Sequence, residues 1–392
     1  MAAHLIQLPW CSTAYLGKSK RAFAANQKFL MDYILKKERT TRMTQSQLHS
    51  GKVFIEAGVR SLLRRVHVLV TKEAAGICMR MLALLSMCLL FGSALLMQGT
   101  STAFALQAKA PTDWSFYMNS SNTSTAYNLG CNQGHTDANV HHGSTVVLDF
   151  GGQLSNGSGT LMINGVSISN GQIKAVAEAF SHGYWVCTGS DTTTILDLAI
   201  GTNNSLYDVS SSGGRTWVDD VAAIQSSNRI TGYYSQVRMY GANDIESWCG
   251  SIVGCKPASA AINWANGFAG VSGYGYFDYG SADGCPQYSS NNGGCTGGWN
   301  QYDYYYVSWG AQPAHPTPEI YNQGMANEWA MISLYGAQHQ GGHIVIWGPW
   351  DEHDLDTSTF TATQAWDALW YAVNSRSSTA QNFGYSLEIH NE

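Results

Sequence analysis

Asp244 and Glu246 stand two residues apart, just beyond an apolar stretch that ends near Tyr240. In an extended backbone, positions i and i+2 project to the same side, so the two carboxylates share one small volume. Like charges so confined cannot both ionise cheaply. One pKa rises, giving an acid able to protonate a leaving oxygen near neutral pH. Glycoside hydrolysis needs such a carboxyl group, and the spacing of the working pair decides between retention and inversion. In this reading Glu246 is the general acid, Asp244 tunes and orients it, and Asp278 or Asp149 across the cleft is the base or nucleophile. Trp248, Tyr276, Tyr279 and Trp309 are candidate sugar platforms, and Glu319 is a further acid of the substrate cleft. An acid after a strand also has a plainer use, capping a helix or binding loop amides. Asp197, inside an apolar run, belongs with that plainer class.

These side chains need strands to aim them. Asp149 lies in the run 144–150 (STVVLDF), and Asp278 in 273–279 (GYGYFDY). Glu319 falls within 318–321, and Asp351 follows 344–347 (IVIW). Further apolar runs span 193–200, 230–240 and 383–389. Helical periodicity marks 171–181, 215–226, 257–268, 324–336 and 361–374, and 153–168 reads as a small hairpin or a loop excursion. Apolar strands alternating with amphipathic helices predict a parallel α/β architecture. Seven or eight such units predict a (β/α)8 TIM-like barrel, with its active site at the carboxyl ends of the strands. A doubly wound open sheet is the competing arrangement. The chain has neither G-x-G-x-x-G after its first strand nor a Walker-type lysine loop, which argues against nucleotide-binding forms of that sheet. The barrel is placed at 144–392, and 106–143 reads as a polar extension, a strand-poor coil or lid.

The charge is divided sharply along the chain. Residues 1–80 hold 14 of the 21 Lys and Arg and a net charge of +10, whereas 106–392 carry −16. Between them 81–97 (MLALLSMCLLFGSALLM) is free of charge and is followed by Ala103-Phe104-Ala105. A basic flank, a greasy run and an A-x-A end predict a signal peptide over 81–105 and a secreted protein. Retention as a transmembrane helix is the alternative, leaving a membrane-anchored protein with its C-terminal domain outside. The basic segment 1–80 is either the product of a start set too far upstream or a cytoplasmic arm for an anionic partner. Six cysteines follow the signal: Cys131, Cys187, Cys249, Cys255, Cys285 and Cys295. Their even number suits an oxidising compartment. Spacing favours the local clips 249–255 and 285–295, which leaves Cys131 for Cys187.

A net charge of −16 with few basic residues repels phosphate backbones, so nucleic acid is not an expected partner. Abundant aromatic rings among Ser, Thr, Asn and Gly suit glycans. No cofactor or metal is expected: there is no H-E-x-x-H, C-x-x-C or EF-hand pattern, and His339 and His343 flank two glycines. The serine-hydrolase elbow G-x-S-x-G is also missing. A monomer is expected.

The D-x-E of Asp244 and Glu246 after a central strand, with Asp149 after the first, resembles the secreted TIM barrels of the glycoside hydrolase 25 type. It also resembles related bacterial glycoside-hydrolase-like domains of unknown function. The resemblance covers most of 144–390 in layout and implies that Asp149, Asp244 and Glu246 line the groove, with the glutamate as proton donor. Pro316-Thr317-Pro318-Glu319-Ile320-Tyr321 and the paired cysteines depart from the lysozyme pattern. Two functions follow as expectations: an exported glycosidase acting on a polysaccharide or cell-wall glycan, or a noncatalytic carbohydrate-binding or surface barrel.

Overall fold

Strand pairing starts at Thr112, well before the first strand expected from the apolar runs. A computed structural model of the chain describes residues 109–392, apart from 156, 190, 192, 206–209, 250–253 and 272. The basic segment and the apolar run of 81–105 lie outside the described residues. In chain order the first elements are β1 (Thr112–Tyr117), α1 (Thr123–Val140), β2 (Ser144–Gln153), β3 (Gly159–Leu161), β4 (Ser167–Ser169) and α2 (Asn170–Cys187). Then come β5 (Leu196–Asn203), α3 (Ser211–Thr231), β6 (Val237–Asp244), α4 (Ala258–Ala269), β7 (Tyr276–Asp278) and α5 (Gln301–Tyr305). The chain closes with β8 (Ala314–Pro316), α6 (Gln323–Tyr335), β9 (Trp350–Asp351), α7 (Ala362–Asn374) and β10 (Ser386–Asn391).

Eight strands pair in parallel in the order β8-β7-β6-β5-β2-β1-β10-β9, a curled sheet of TIM-like character. Backbone bonds from Trp347 N to the Pro316 carbonyl and from Trp350 N to the Pro318 carbonyl, each 2.9 Å, join the segment after β8 to that around β9. β3 and β4 form the expected hairpin against β2. The polar extension expected at 106–143 is corrected here: β1 pairs with both β2 and β10, and α1 packs on α2. Its strand was hidden because TDWSFY alternates polar and apolar residues, whereas β2 and β5 carry largely apolar runs. The aromatic run 304–309 lies in α5 and the wide helical turn after it, and regular pairing near IVIW is confined to β9.

Local sequence explains the helix starts. Ser169 and Gln172 close a capping box on α2, and Thr361 and Gln364 do the same on α7. Two layers of core flank the sheet. Between sheet and helices lie Trp217, Trp264, Trp329 and Trp366, all fully buried. The Trp217 indole donates to the Ile200 carbonyl and that of Trp264 to Gln153, both at 3.0 Å. These bonds give the Trp217 and Trp264 donors partners, whereas the indole nitrogens of Trp329 and Trp366 find none among the described residues. Inside the curl, Val147, Ala199, Ala242, Phe277, Tyr279, Trp350, Leu387 and Ile389 form a separate cluster. Because strand side chains alternate, this cluster fixes which residues face inward and which face the helices.

Cys131–Cys187, Cys249–Cys255 and Cys285–Cys295 are all disulfide-bonded. The first ties α1 to α2 across 56 residues and, in the chain-entropy account, stabilises by about 4 kcal/mol. Such bonds are compatible with an extracellular protein. Among the described residues, no helix is long and apolar enough to cross a membrane.

Candidate active site

Asp244 is the last residue of β6 and shares the inward parity of Ala242. Beyond it the chain stays extended, so Glu246 comes to the same side. Asn204, just past β5, holds that geometry: its side chain accepts from Glu246 N at 3.2 Å and donates to the Glu246 carbonyl at 2.9 Å. A third acid joins them from the other flank. Glu319 sits where the chain leaves β8, fixed by Ile320 N on the Trp350 carbonyl (2.9 Å) and by the 319–350 bridge. Carboxylate oxygens of Asp244, Glu246 and Glu319 all lie within 4.8 Å of one another.

Asp244 and Glu319 are nearly sealed from solvent, at 4% and 5% exposure, whereas Glu246 remains partly open. Burial, then the adjacent Glu246, holds Asp244 well above the ordinary carboxylate range. Burial, followed by Glu246, Asp244 and Glu352, does the same to Glu319. Glu246 is also raised, chiefly by burial, against the opposing bonds from Ser281. One of those is Ser281 N donating to Oε1 at 2.8 Å. Every charge acting on Asp244 is another carboxylate. Protons therefore do the neutralising at this cluster, and Glu246 is the member that can present one to a ligand. The three acids are also an all-oxygen donor set of the kind that holds a hard divalent cation.

Asp149 ends the regular pairing of β2 and faces inward beside Tyr279. Its Oδ1 accepts from Gly151 N at 2.6 Å. Gly151 has φ +80°, and an added Cβ would stand 2.3 Å from the Leu161 carbonyl, so the turn presenting this amide requires glycine. Burial raises Asp149 to about 6. Three groups missed from the sequence complete the mouth. Glu352, two residues beyond inward-facing Trp350, accepts a 2.5 Å bond from the Tyr117 hydroxyl and acts electrostatically on Asp149, Asp244 and Glu319. Tyr321 sits against Glu319. Parity from Trp350 could have found Glu352; Tyr117 was hidden with β1.

Other assignments change. Asp278 lies between inward-facing Phe277 and Tyr279 and so points to the helix layer, where it accepts from Ser308 Oγ at 2.5 Å. Bonds from the Gly280 and Ile245 amides also reach it, and burial lifts it to about 7. It braces the turns after β6 and β7 and does not face the mouth. Asp351 likewise faces outward, towards Lys109 and Glu388, and is raised by burial to about 8. Tyr276 is fully buried between Trp264 and Phe268 with its hydroxyl on the Val307 carbonyl, and Trp309 packs on the outer core. Neither ring is placed to stack on a sugar at the mouth. Tyr279 forms the floor, stacked on Trp350 at 4.7 Å with its hydroxyl on the Thr202 carbonyl. Asp197 pairs with Arg238 at 2.8 Å at the opposite end of the curl, a structural role.

Trp248 stays at the rim. It is half-buried, takes a left-handed backbone (φ 41°) and has a shielded indole nitrogen that finds no hydrogen-bond partner among the described residues. A bulky residue in that region is strained, and such strain clusters at functional sites. The Cys249–Cys255 clip follows it directly, and Trp299 fastens the end of this loop by donating to the Lys256 carbonyl at 2.7 Å. No family model, curated protein or solved structure matches this chain.

Proposed function

We propose that the curled sheet is a closed (β/α)8 barrel of an exported glycoside hydrolase-like protein acting on a polysaccharide or cell-wall glycan. The observation that carries this is the packing of Asp244, Glu246 and Glu319 within 4.8 Å at the carboxyl ends of parallel strands, with Glu246 alone partly open. Glu246 protonates the leaving glycosidic oxygen. Burial holds its proton, against the opposing bonds from Ser281 and Glu319. The trio is too tight to hold a water between acid and base, which inversion requires across about 6.5–9.5 Å. The second working carboxylate therefore comes from elsewhere at the mouth. Glu352, oriented by Tyr117, is the choice over Asp149, because Asp149 is sealed and Glu352 is partly exposed. Tyr279 forms the floor and Trp248 the rim.

Release of reducing ends from soluble polysaccharides tests this. Glu246→Gln should cut turnover by several orders of magnitude while glycan binding persists. Wild-type turnover in that variant would remove Glu246 from the mechanism. Binding with no turnover by the wild type would leave a noncatalytic carbohydrate-binding barrel.

A further inference from the structure

A second concave surface lies on the outer helix layer, away from the carboxylates. α1 and α2 flank a shallow, open cleft of about 330 Å3 lined by Thr123, Ser124, Tyr127, Asn128, Ala179 and His182. That volume is at the lower end of small-molecule sites, which run from about 300 to 1,000 Å3. A line of rings continues from it. Tyr127 meets His182 edge-on at 5.2 Å, His182 stacks on Tyr233 at 5.2 Å and 8°, and Trp185 follows at 5.2 Å from Tyr233. His182 is exposed, and the three flanking rings are only partly buried. Such rings on an open helix face add little to the core.

The cleft is also held rigidly. Cys131–Cys187 bonds its two helices together. A Cβ on Gly183 would come within 2.0 Å of the Tyr127 carbonyl, so the helices touch backbone to backbone beside it. Fixed rings lower the entropy lost on binding. The chemistry of the lining selects the ligand. It holds no Lys, Arg, Asp or Glu, and it offers hydroxyls, one amide and aromatic edges. The amides at the start of α1 are already capped by Asn122, which accepts from Ser124 N and Thr125 N, so the helix end does not call for an anion. Uncharged, ring-lined and hydroxyl-bearing, the cleft fits a neutral saccharide. We infer that it is a second saccharide-binding site, distinct from the carboxylate mouth and independent of whether that mouth is catalytic.

Affinity electrophoresis of the full, disulfide-bonded chain through native gels containing glycol chitin, laminarin or hydroxyethylcellulose tests the inference. At least one polysaccharide should retard the wild type. Tyr127→Ala and His182→Ala should each weaken that binding about tenfold, equivalent to about 1.4 kcal/mol. Tyr127→Phe, which keeps the ring, should preserve most of it. His182 is exposed, so His182→Ala keeps the test decisive if Tyr127→Ala fails to fold. The losses in Tyr127→Ala and His182→Ala should recur undiminished in a Trp248→Ala background, whose mouth lacks its rim ring, which separates this site from the mouth. Wild-type retardation of both alanine variants, or a wild type retarded by none of the three gels, would overturn the inference.

Discussion

Replacing Asp278 with Asn separates a structural acid from a chemical one. The Asp278 side chain is fully buried, bonded to Ser308 and to the amides of Gly280 and Ile245, and raised from 3.8 to about 7, chiefly by burial. A raised acid binds its proton in the folded state at pH values where the unfolded chain has already released it. Its stabilisation is therefore complete below about pH 4 and lost as pH climbs through about 7. Between pH 5 and pH 8 the loss from this group comes to about 3 kcal/mol. Asn cannot titrate. It still accepts from Ser308, but its amide nitrogen faces a backbone donor and costs about 1–3 kcal/mol. Denaturant unfolding followed by tryptophan fluorescence, with disulfides intact, reads both effects. Asp278→Asn should be clearly less stable than wild type at pH 5, and the gap should shrink or reverse by pH 8. A gap that is the same at both pH values would refute the assignment of a buried titrating brace. A variant of wild-type stability that nonetheless loses turnover would return Asp278 to the chemistry.

Tyr117→Phe removes the hydroxyl that orients Glu352. In a reducing-end assay kcat should fall about tenfold with little change in KM, as expected for one lost bond of about 1.4 kcal/mol felt in the transition state. An unchanged kcat would take Glu352 out of the working pair. Removing Cys131–Cys187 by a double Ser substitution should cost about 4 kcal/mol and lower Tm by roughly 5–10 °C. Calorimetry with the other two disulfides intact measures this, and an unchanged Tm would contradict the long-loop account.

The legible parts of the fold were those where hydrophobic pattern and geometry agree. β2 and β5 are buried on both faces and read as largely apolar runs, and Ser169 with Gln172 announces the start of α2. β1 escaped because an edge of polar residues runs through it: Asp113 and Ser115 face inward, where they accept from Thr145 N and Val147 N. These side chains replace apolar ones in the strand and erase its usual signature. The aromatic run 304–309 is the opposite case, residues of high strand propensity that here lie in a short helix and the wide turn after it.

The same parity rule explains which acids were legible. Proximity to a strand end is only half of the requirement, because neighbours on a strand face opposite layers. Asp149 and Asp244 have the parity of the inner cluster, whereas Asp278 and Asp351 have that of the helix layer. D-x-E worked as a signal because its spacing of two carries the inward side past the end of β6, with Asn204 holding that extension. Glu319 has no such partner in its own sequence. It reaches the cluster only because the segment after β8 is bonded to the residues around β9. That contact lies 73 residues from the D-x-E glutamate and is a property of the curled sheet. The third acid thus depends on tertiary structure, and with it the crowding of three carboxyl groups at the mouth. Loosening that seam should let the Glu319 carboxyl fall back towards the ordinary carboxylate range before it unfolds the domain.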